Sequence, residues 1–203
     1  MSQMKATQDR RINRTRQSIQ EAVMFLISEK DFDEVSVTDI TECANINRST
    51  FYSHYQDKYD LLNKIVEEKL LSLTKRLRDN ITHENKYKAN FDVPDPFFEA
   101  LFNHVAQNEE FYRIMFTRLQ PAFFIDKMRE AIRECYYTQF SLMRMKQKPV
   151  VPSDILLDYI SSSIIGVVVK WLEGTIGYKP QYMALQLTRL FILGVYKTME
   201  KID

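Results

Sequence analysis

The stretch from Ser36 to Asp60 constrains this chain more than any other feature. Its capping residues, turn residues and apolar spacings fit two short helices, a tight turn and the start of a third helix. Ser36 stands three residues before Asp39, the pattern in which a hydroxyl and a carboxylate satisfy opposite orphan N–H groups at a helix start. Val37, Ile40 and Ala44 recur at three- and four-residue spacing, a stripe that has to lie against neighbouring helices. Asn45-Ile46-Asn47 then interrupts the run, since asparagine tolerates left-handed and capping backbone and Ile46 can plug the angle between two helices. Asn47 is the expected cap of the second helix, which shows Arg48, Ser49 and Thr50 to solvent while Phe51 and Tyr55 turn inward. Any three-helix module would bury Phe51, Tyr55 and Leu61 in the same way, so spacing alone leaves the use of the exposed face open. A helix that enters a major groove meets base edges with its first turn, where a bidentate Arg–guanine pair gives roughly 1–3 kcal/mol of discrimination. Arg48 is the candidate for that contact.

The run Asn47-Arg48-Ser49-Thr50-Phe51-Tyr52-Ser53-His54-Tyr55, followed by Asp57-Lys58-Tyr59-Asp60-Leu61-Leu62, resembles the recognition helix and fourth-helix start of the TetR family of transcriptional regulators. The resemblance covers about the first third of the chain. It implies that Tyr52 and His54 contact phosphates, that Lys58 meets the backbone from the next helix, and that Thr38 touches a strand at the start of the second helix. Hydroxyl, imidazole and ammonium groups suit that task and fix register without reading sequence. Two positions depart from the family pattern: Asn45 stands where Gly is usual in the turn, and Lys30-Asp31-Phe32 lacks the Gly that usually ends the first helix. Asn and Asp are the next-best occupants of left-handed backbone.

Charge is a weaker guide, because 28 Lys+Arg face 27 Asp+Glu. Its distribution says more. Lys5, Arg10, Arg11, Arg14 and Arg16 oppose only Asp9 near the N-terminus, a basic arm over residues 1–11 running into a helix start, with Arg11 and Arg14 placed to lie along DNA. A frayed, solvated terminus accounts for the same residues. Glu29, Asp31, Asp33, Glu34, Asp39 and Glu42 should face away from phosphates, which makes the binding surface narrow.

The fold class expected is all-α: an N-terminal three-helix helix-turn-helix domain over residues 1–58 and a helical ligand-binding and dimerisation domain over 59–203. With 4 Gly and 6 Pro the chain is poorly supplied for many short strands. Ile12, Ile19, Ala22, Val23 and Leu26 form the inner stripe of the first helix; Leu62, Ile65, Val66, Leu70, Leu73 and Leu77 form that of a long fourth helix linking the two domains. His83 to Asp92 reads as a loop. Helices follow around Phe97–Val105 and Phe111–Phe116, then from about Phe123 to Met145, ended by Lys148–Pro152, then Ser153 to Glu173 with Ser153 or Asp154 as cap, and Gln181 to Glu200.

The last two helices are apolar on most of their circumference. A partner subunit would cover the second side, giving a homodimer through those helices, and Ser161, Ser162, Ser163 and Gly166 would permit close approach. The resemblance implies the same four-helix contact across a two-fold axis and hence a pseudo-palindromic operator in double-stranded DNA, with half-sites one or more turns (~34–36 Å) apart. An ordinary monomer core is the competing reading. A membrane span is not expected, because Asp158 and Lys170 interrupt the run before the ~18–20 residues needed.

The resemblance further implies a small apolar effector in the middle helices. His104, Tyr112, Arg113, Tyr136, Tyr159 and Trp171 are the candidate pocket residues, each equally explained as core, surface or interface. Trp171-Leu172-Glu173-Gly174, with Tyr178 and Pro180, resembles a TetR subgroup found in Gram-positive bacteria, in which the effector is often unknown and some members act as activators or through protein partners. Catalysis is not expected: His54, His83, His104, Cys43 and Cys135 show no metal-ligand spacing, and no phosphate loop, nucleophile elbow or HExxH run occurs. No cofactor is expected. Cys43 and Cys135 read as small buried hydrophobes of a reducing cytoplasm, and residues 1–18 lack the apolar region of a signal peptide, so a cytoplasmic location is expected. Two functions stand at this point: a dimeric repressor of TetR type, and a coactivator or adaptor of that fold acting through a protein partner.

Overall fold

The computed structural model describes residues 2–80, 90–119, 121–142, 151–174 and 177–198, and among them there are nine α-helices and no strand. They are α1 (Ser2–Glu29), α2 (Val37–Cys43), α3 (Arg48–Tyr52), α4 (Lys58–Asp79), α5 (Pro96–Gln107), α6 (Glu109–Thr117), α7 (Pro121–Leu142), α8 (Ser153–Leu172) and α9 (Pro180–Thr198), with one 3₁₀ turn at Phe32–Glu34. The expected ends at Met145, Lys148–Val150 and Glu200, and most of the loop from His83, lie outside the described residues.

Local chemistry accounts for three of the helix starts. Ser36 Oγ accepts from the Asp39 N–H and the Asp39 carboxylate accepts from the Ser36 N–H, so the capping box read from sequence is present. The Asp57 carboxylate accepts from the N–H groups of Tyr59 and Asp60 at the start of α4. Asp95 caps α5, whose first residue is a proline that needs no N–H partner. At α8 the expectation fails: Pro152 holds the cap position, and neither Ser153 nor Asp154 caps the helix.

The first three helices and the start of α4 form a small head. Ile19, Val23, Ile40, Phe51, Tyr55 and Leu61 make its buried centre, and each large side chain hidden there contributes roughly 1.5–3 kcal/mol. Ile12, expected on that inner stripe, is exposed, as are its neighbours from Arg10 to Arg14. The basic arm is part of α1. α4 runs unbroken out of the head, so the expected boundary at 58/59 falls inside continuous helix.

Beyond the head, α5 and α7 pack on α4, α9 lies mainly on α5, and α8 mainly on α7. Phe97, Leu101, Phe102, Phe124, Met128 and Ile132 fill the space between them, continuous with the core of the head. α8 is long and apolar enough to cross a membrane by length and composition. Its inner face, however, packs into the body, and its Asp158 pairs with Arg133 of α7 at 2.9 Å. Gly194 adopts φ 70° and ψ 170°, backbone open only to glycine, and kinks α9 where the sequence pattern gives one straight helix.

Candidate nucleic-acid interface

The helix-turn-helix is braced from behind and open in front. Behind it, Lys30 at the end of α1 donates to Asp39 at 2.8 Å; this bond, with those from Ser36, lowers the Asp39 carboxyl to about 2. Thr41 Oγ1 donates to the Thr38 carbonyl, and the turn closes through Ile46 N–H to Thr41 O at 3.0 Å. Asn45 takes the left-handed conformation at φ 51°, as its residue type allows. Asp31, in contrast, is extended (φ −62°, ψ 140°), so the chain leaves α1 without needing the family's glycine.

In front, Thr38, Asn47, Arg48 and Ser49 are exposed and Thr50 is half-buried, while Phe51 is fully buried beneath them. Asn47 occupies the cap position of α3, and its carbonyl accepts from Thr50 and Phe51. Contrary to expectation its side chain makes no cap bond, which leaves the amide turned to other uses. The Arg48 guanidinium donates to the Tyr52 hydroxyl at 3.2 Å and lies 5.6 Å from that ring's centre. Tyr52 is itself 47% exposed, so the pair forms one surface unit. Arg11 and Arg14 are exposed on α1. Arg16 is committed to Glu68 of α4.

Lys58 has a different partner set from the one expected. Its ammonium donates to the carbonyls of Phe32, Asp33 and Val35 at 2.8, 2.9 and 2.8 Å. An ammonium has three N–H groups, and all three are spent within the protein rather than on a phosphate. The N–H groups at the start of α4 are equally engaged, by Asp57. His54 is half-buried against Tyr55, and its carbonyl accepts from Lys64 at 3.3 Å. Sequence reasoning missed Lys64, although its four-residue spacing from Asp60 was a visible signal for their 2.9 Å ion pair. Glu42, expected to face away from DNA, lines a shallow recess with Asn47 and Thr50. Cys43, expected to be buried, is exposed; Cys135 is buried, and that burial pushes its thiol upward.

The six pocket candidates do not converge. His104 and Tyr112 meet edge to face at 5.9 Å, both fully buried, with neither imidazole nitrogen nor the phenol hydroxyl hydrogen-bonded among the described residues. Burial first, then Arg76 and Lys69, lowers His104 to about 4, and burial raises the Tyr112 hydroxyl above its usual range. Tyr136 packs between Phe97 and Phe191. Arg113 is exposed and paired with Glu109, Tyr159 points outward from α8, and the Trp171 indole donates to the Tyr178 carbonyl at 2.8 Å. A helical period tells which side of one helix is apolar but not which sides of different helices meet. Four clefts of about 340–550 Å³ occur elsewhere on the surface, and none of the four is lined by any of the six.

Comparison with known proteins points the same way as the exposed face of α3. The family described as "Bacterial regulatory proteins, tetR family" matches residues 19–65, and that described as "Transcriptional regulator C-terminal region" matches residues 92–192. A Bacillus subtilis (strain 168) protein named "Uncharacterized HTH-type transcriptional regulator YxbF" is 24% identical over 193 residues, covering 94% of this chain and 48% of the relative. The "Biofilm operon icaADBC HTH-type negative transcriptional regulator IcaR" of Staphylococcus aureus (strain Newman) is 29% identical over 94 residues, covering 46% of this chain and 47% of IcaR. The chain thus spans about half the length of these curated relatives. Among solved structures, a TetR transcriptional regulator from Streptococcus agalactiae 2603V superposes with a TM-score of 0.63 at 24% identity, over 92% of this chain and 98% of that one.

Proposed function

Because the chain belongs to the TetR family of transcriptional regulators, we propose that it is a cytoplasmic, sequence-specific DNA-binding repressor that works as a homodimer on a pseudo-palindromic operator. The observation that carries this reading is the exposed first turn of α3: Asn47, Arg48 and Ser49 stand clear of a head whose core is closed behind them by Phe51 and Tyr55. Arg48 would read a base, and Tyr52, Thr38, Arg11 and Arg14 would hold phosphates. Repression is favoured over activation by the likeness to a negative regulator.

The dimer reading is supported by the outer face of α8. Ile155 and Tyr159 are 57% and 62% exposed, and Ser162 and Gly166 continue the same stripe at spacings of three and four residues. A Cβ built on Gly166 would meet no atom within 4 Å, so that part of the stripe leaves room for a second helix. Ser161, by contrast, is buried within the protomer. Large apolar side chains aligned on one exposed face are the mark of an interaction surface. An effector would act through α4, the element shared by head and body.

Selection of fragments from the source genome by purified protein tests the proposal. Wild type should recover a short inverted repeat, and Arg48→Ala should relax preference at one position per half-site, a loss of roughly 1–3 kcal/mol of discrimination. Equal losses on every sequence would remove Arg48 from base reading. No enrichment by wild type at low salt would favour a protein-partner role.

A further inference from the structure

We infer that Lys58 and Lys64 are positioning residues that clamp the reading head to α4, and that by fixing the head's angle they set which spacing of two half-sites the protein accepts. The inference rests on the dimeric DNA-binding reading above. Lys58, at the first position of α4, reaches back to the connection that leads into α2 and holds the carbonyls of Phe32, Asp33 and Val35. Lys64, about 9 Å further along the helix at ~1.5 Å per residue, holds the His54 carbonyl just after α3. The two-helix reading unit is therefore gripped where the chain enters it and where the chain leaves it. Both grips belong to α4.

The choice of partners matters. Lys58 forms no ion pair with a carboxylate among the described residues, although Asp57 directly precedes it and Asp33 supplies one of its carbonyls. Carbonyl oxygens are fixed to the chain path, so three bonds to them define where the backbone runs, as one bond to a mobile carboxylate would not. The ammonium also lies 4.9 Å from the Phe32 ring centre and 5.4 Å from that of Tyr59; these two rings meet edge to face. Further along, Arg16 and Gln20 of α1 both bond Glu68 of α4, the latter at 2.9 Å. A rotation of α4 is thus carried into α2 and α3 rather than absorbed in the link at residues 53–57.

Rigidity of this kind has a readable consequence on DNA. Adding one base pair between half-sites moves one of them by about 3.4 Å and turns it by about 35°. A clamped head cannot follow that change, whereas a loosened one can.

The test is a set of operators carrying the selected half-site with the spacer shortened or lengthened by one base pair, bound by wild type, Lys58→Met, Lys64→Met and Lys58→Arg. Wild type should prefer one spacing, and each Met variant should narrow that preference by roughly twofold to thirtyfold with the salt slope unchanged. Arginine should not restore the preference, because a planar fork does not fit three converging carbonyls, yet it would keep a phosphate contact. A Lys58→Met protein with wild-type spacing preference overturns the inference, as does a salt slope reduced by about one per subunit and restored by arginine. Folding of the variants is bypassed by observing the lysine ammonium protons of ¹⁵N-lysine-labelled wild type by NMR. The Lys58 ammonium should exchange slowly in the free protein and stay unmoved when operator is added; fast exchange, or a shift on DNA, overturns the clamp. A wild type that binds no DNA counts against the proposed function instead, since ammonium protection is read without DNA.

Discussion

Replacing His104 with leucine removes a buried titratable group that the core holds in its neutral form. His104 is 1% exposed on α5, its two ring nitrogens have no hydrogen-bond partner among the described residues, and burial with the charges of Arg76 and Lys69 lowers its pKa from 6.5 to about 4. In the unfolded chain the imidazole takes a proton as the pH falls through 6.5, while in the folded chain it does not until about 4. The unfolded state therefore binds more protons in that window, and stability falls as the pH drops across it. Between pH 7.5 and 4.5 the loss is on the order of 2.5 kcal/mol, and below about pH 3 this group causes no more. The Asp39 carboxyl, lowered from 3.8 to about 2, acts in the same direction but in a separate and more acidic window. Leucine has similar bulk and no polar atom, so His104→Leu should stabilise the protein at pH 7.5 by about 1–2 kcal/mol, the cost of leaving a buried donor and acceptor unsatisfied. Its advantage should then widen by about 2.5 kcal/mol at pH 4.5. Urea unfolding followed by circular dichroism at both pH values, at one fixed protomer concentration, measures the difference. Parallel pH profiles for the two proteins would show that His104 is not held neutral, and the reasoning would fail.

Two further outcomes follow from the geometry. Asn45 holds φ 51° in the turn, so Asn45→Gly should shift the thermal midpoint little, while Asn45→Val, with a β-branched side chain in left-handed backbone, should cost about 1–2 kcal/mol; equal midpoints for glycine and valine would contradict the turn geometry. Ile155→Lys combined with Tyr159→Lys places two charges on the exposed face of α8 without touching the core and should convert the proposed dimer to monomer in sedimentation, helical content unchanged; an unaltered sedimentation coefficient would count against an interface on this face.

What could be read from sequence was the chemistry that acts over three or four residues. The Ser36–Asp39 capping box, the left-handed Asn45 and the inward Phe51 and Tyr55 all appear as the spacing indicated, because each depends on neighbours along one helix or turn. The carbonyl contacts of Lys58 were not legible for the opposite reason. Its three carbonyl partners lie 23–26 residues earlier, and carbonyls leave no mark in a sequence. The pocket candidates show the same limit. Tyr159 and Trp171 share α8, yet one points outward and the other holds the Tyr178 carbonyl beside Phe102, a distinction set by which helix packs on which. The kink at Gly194 was hidden because the apolar pattern of α9 continues up to it.

The intramolecular contacts of the two lysines also bear on how the proposed head would bind. With Lys58 given to carbonyls and Lys64 to Asp60 and His54, the exposed arginines of the described α1 residues left for phosphates are Arg10, Arg11 and Arg14, beside Arg48 at the proposed base-reading position. At about 0.9 per neutralised phosphate, the three α1 arginines would give a salt slope near −2.7 per subunit at most, a weak sequence-independent attraction. Glu42, in the recess beside Asn47 and Thr50, weakens it further. Tyr52, Ser49 and Thr38 add hydrogen bonds but no charge. A single head so supplied would hold DNA poorly, and affinity has to come from two heads engaged at once. Paired engagement multiplies affinity only where the linkage lets both heads meet their half-sites together. On the proposed dimer, the apolar face of α8 and the lysine clamp on α4 would therefore serve one requirement: α8 would bring two heads together, and the clamp would keep the angle between them.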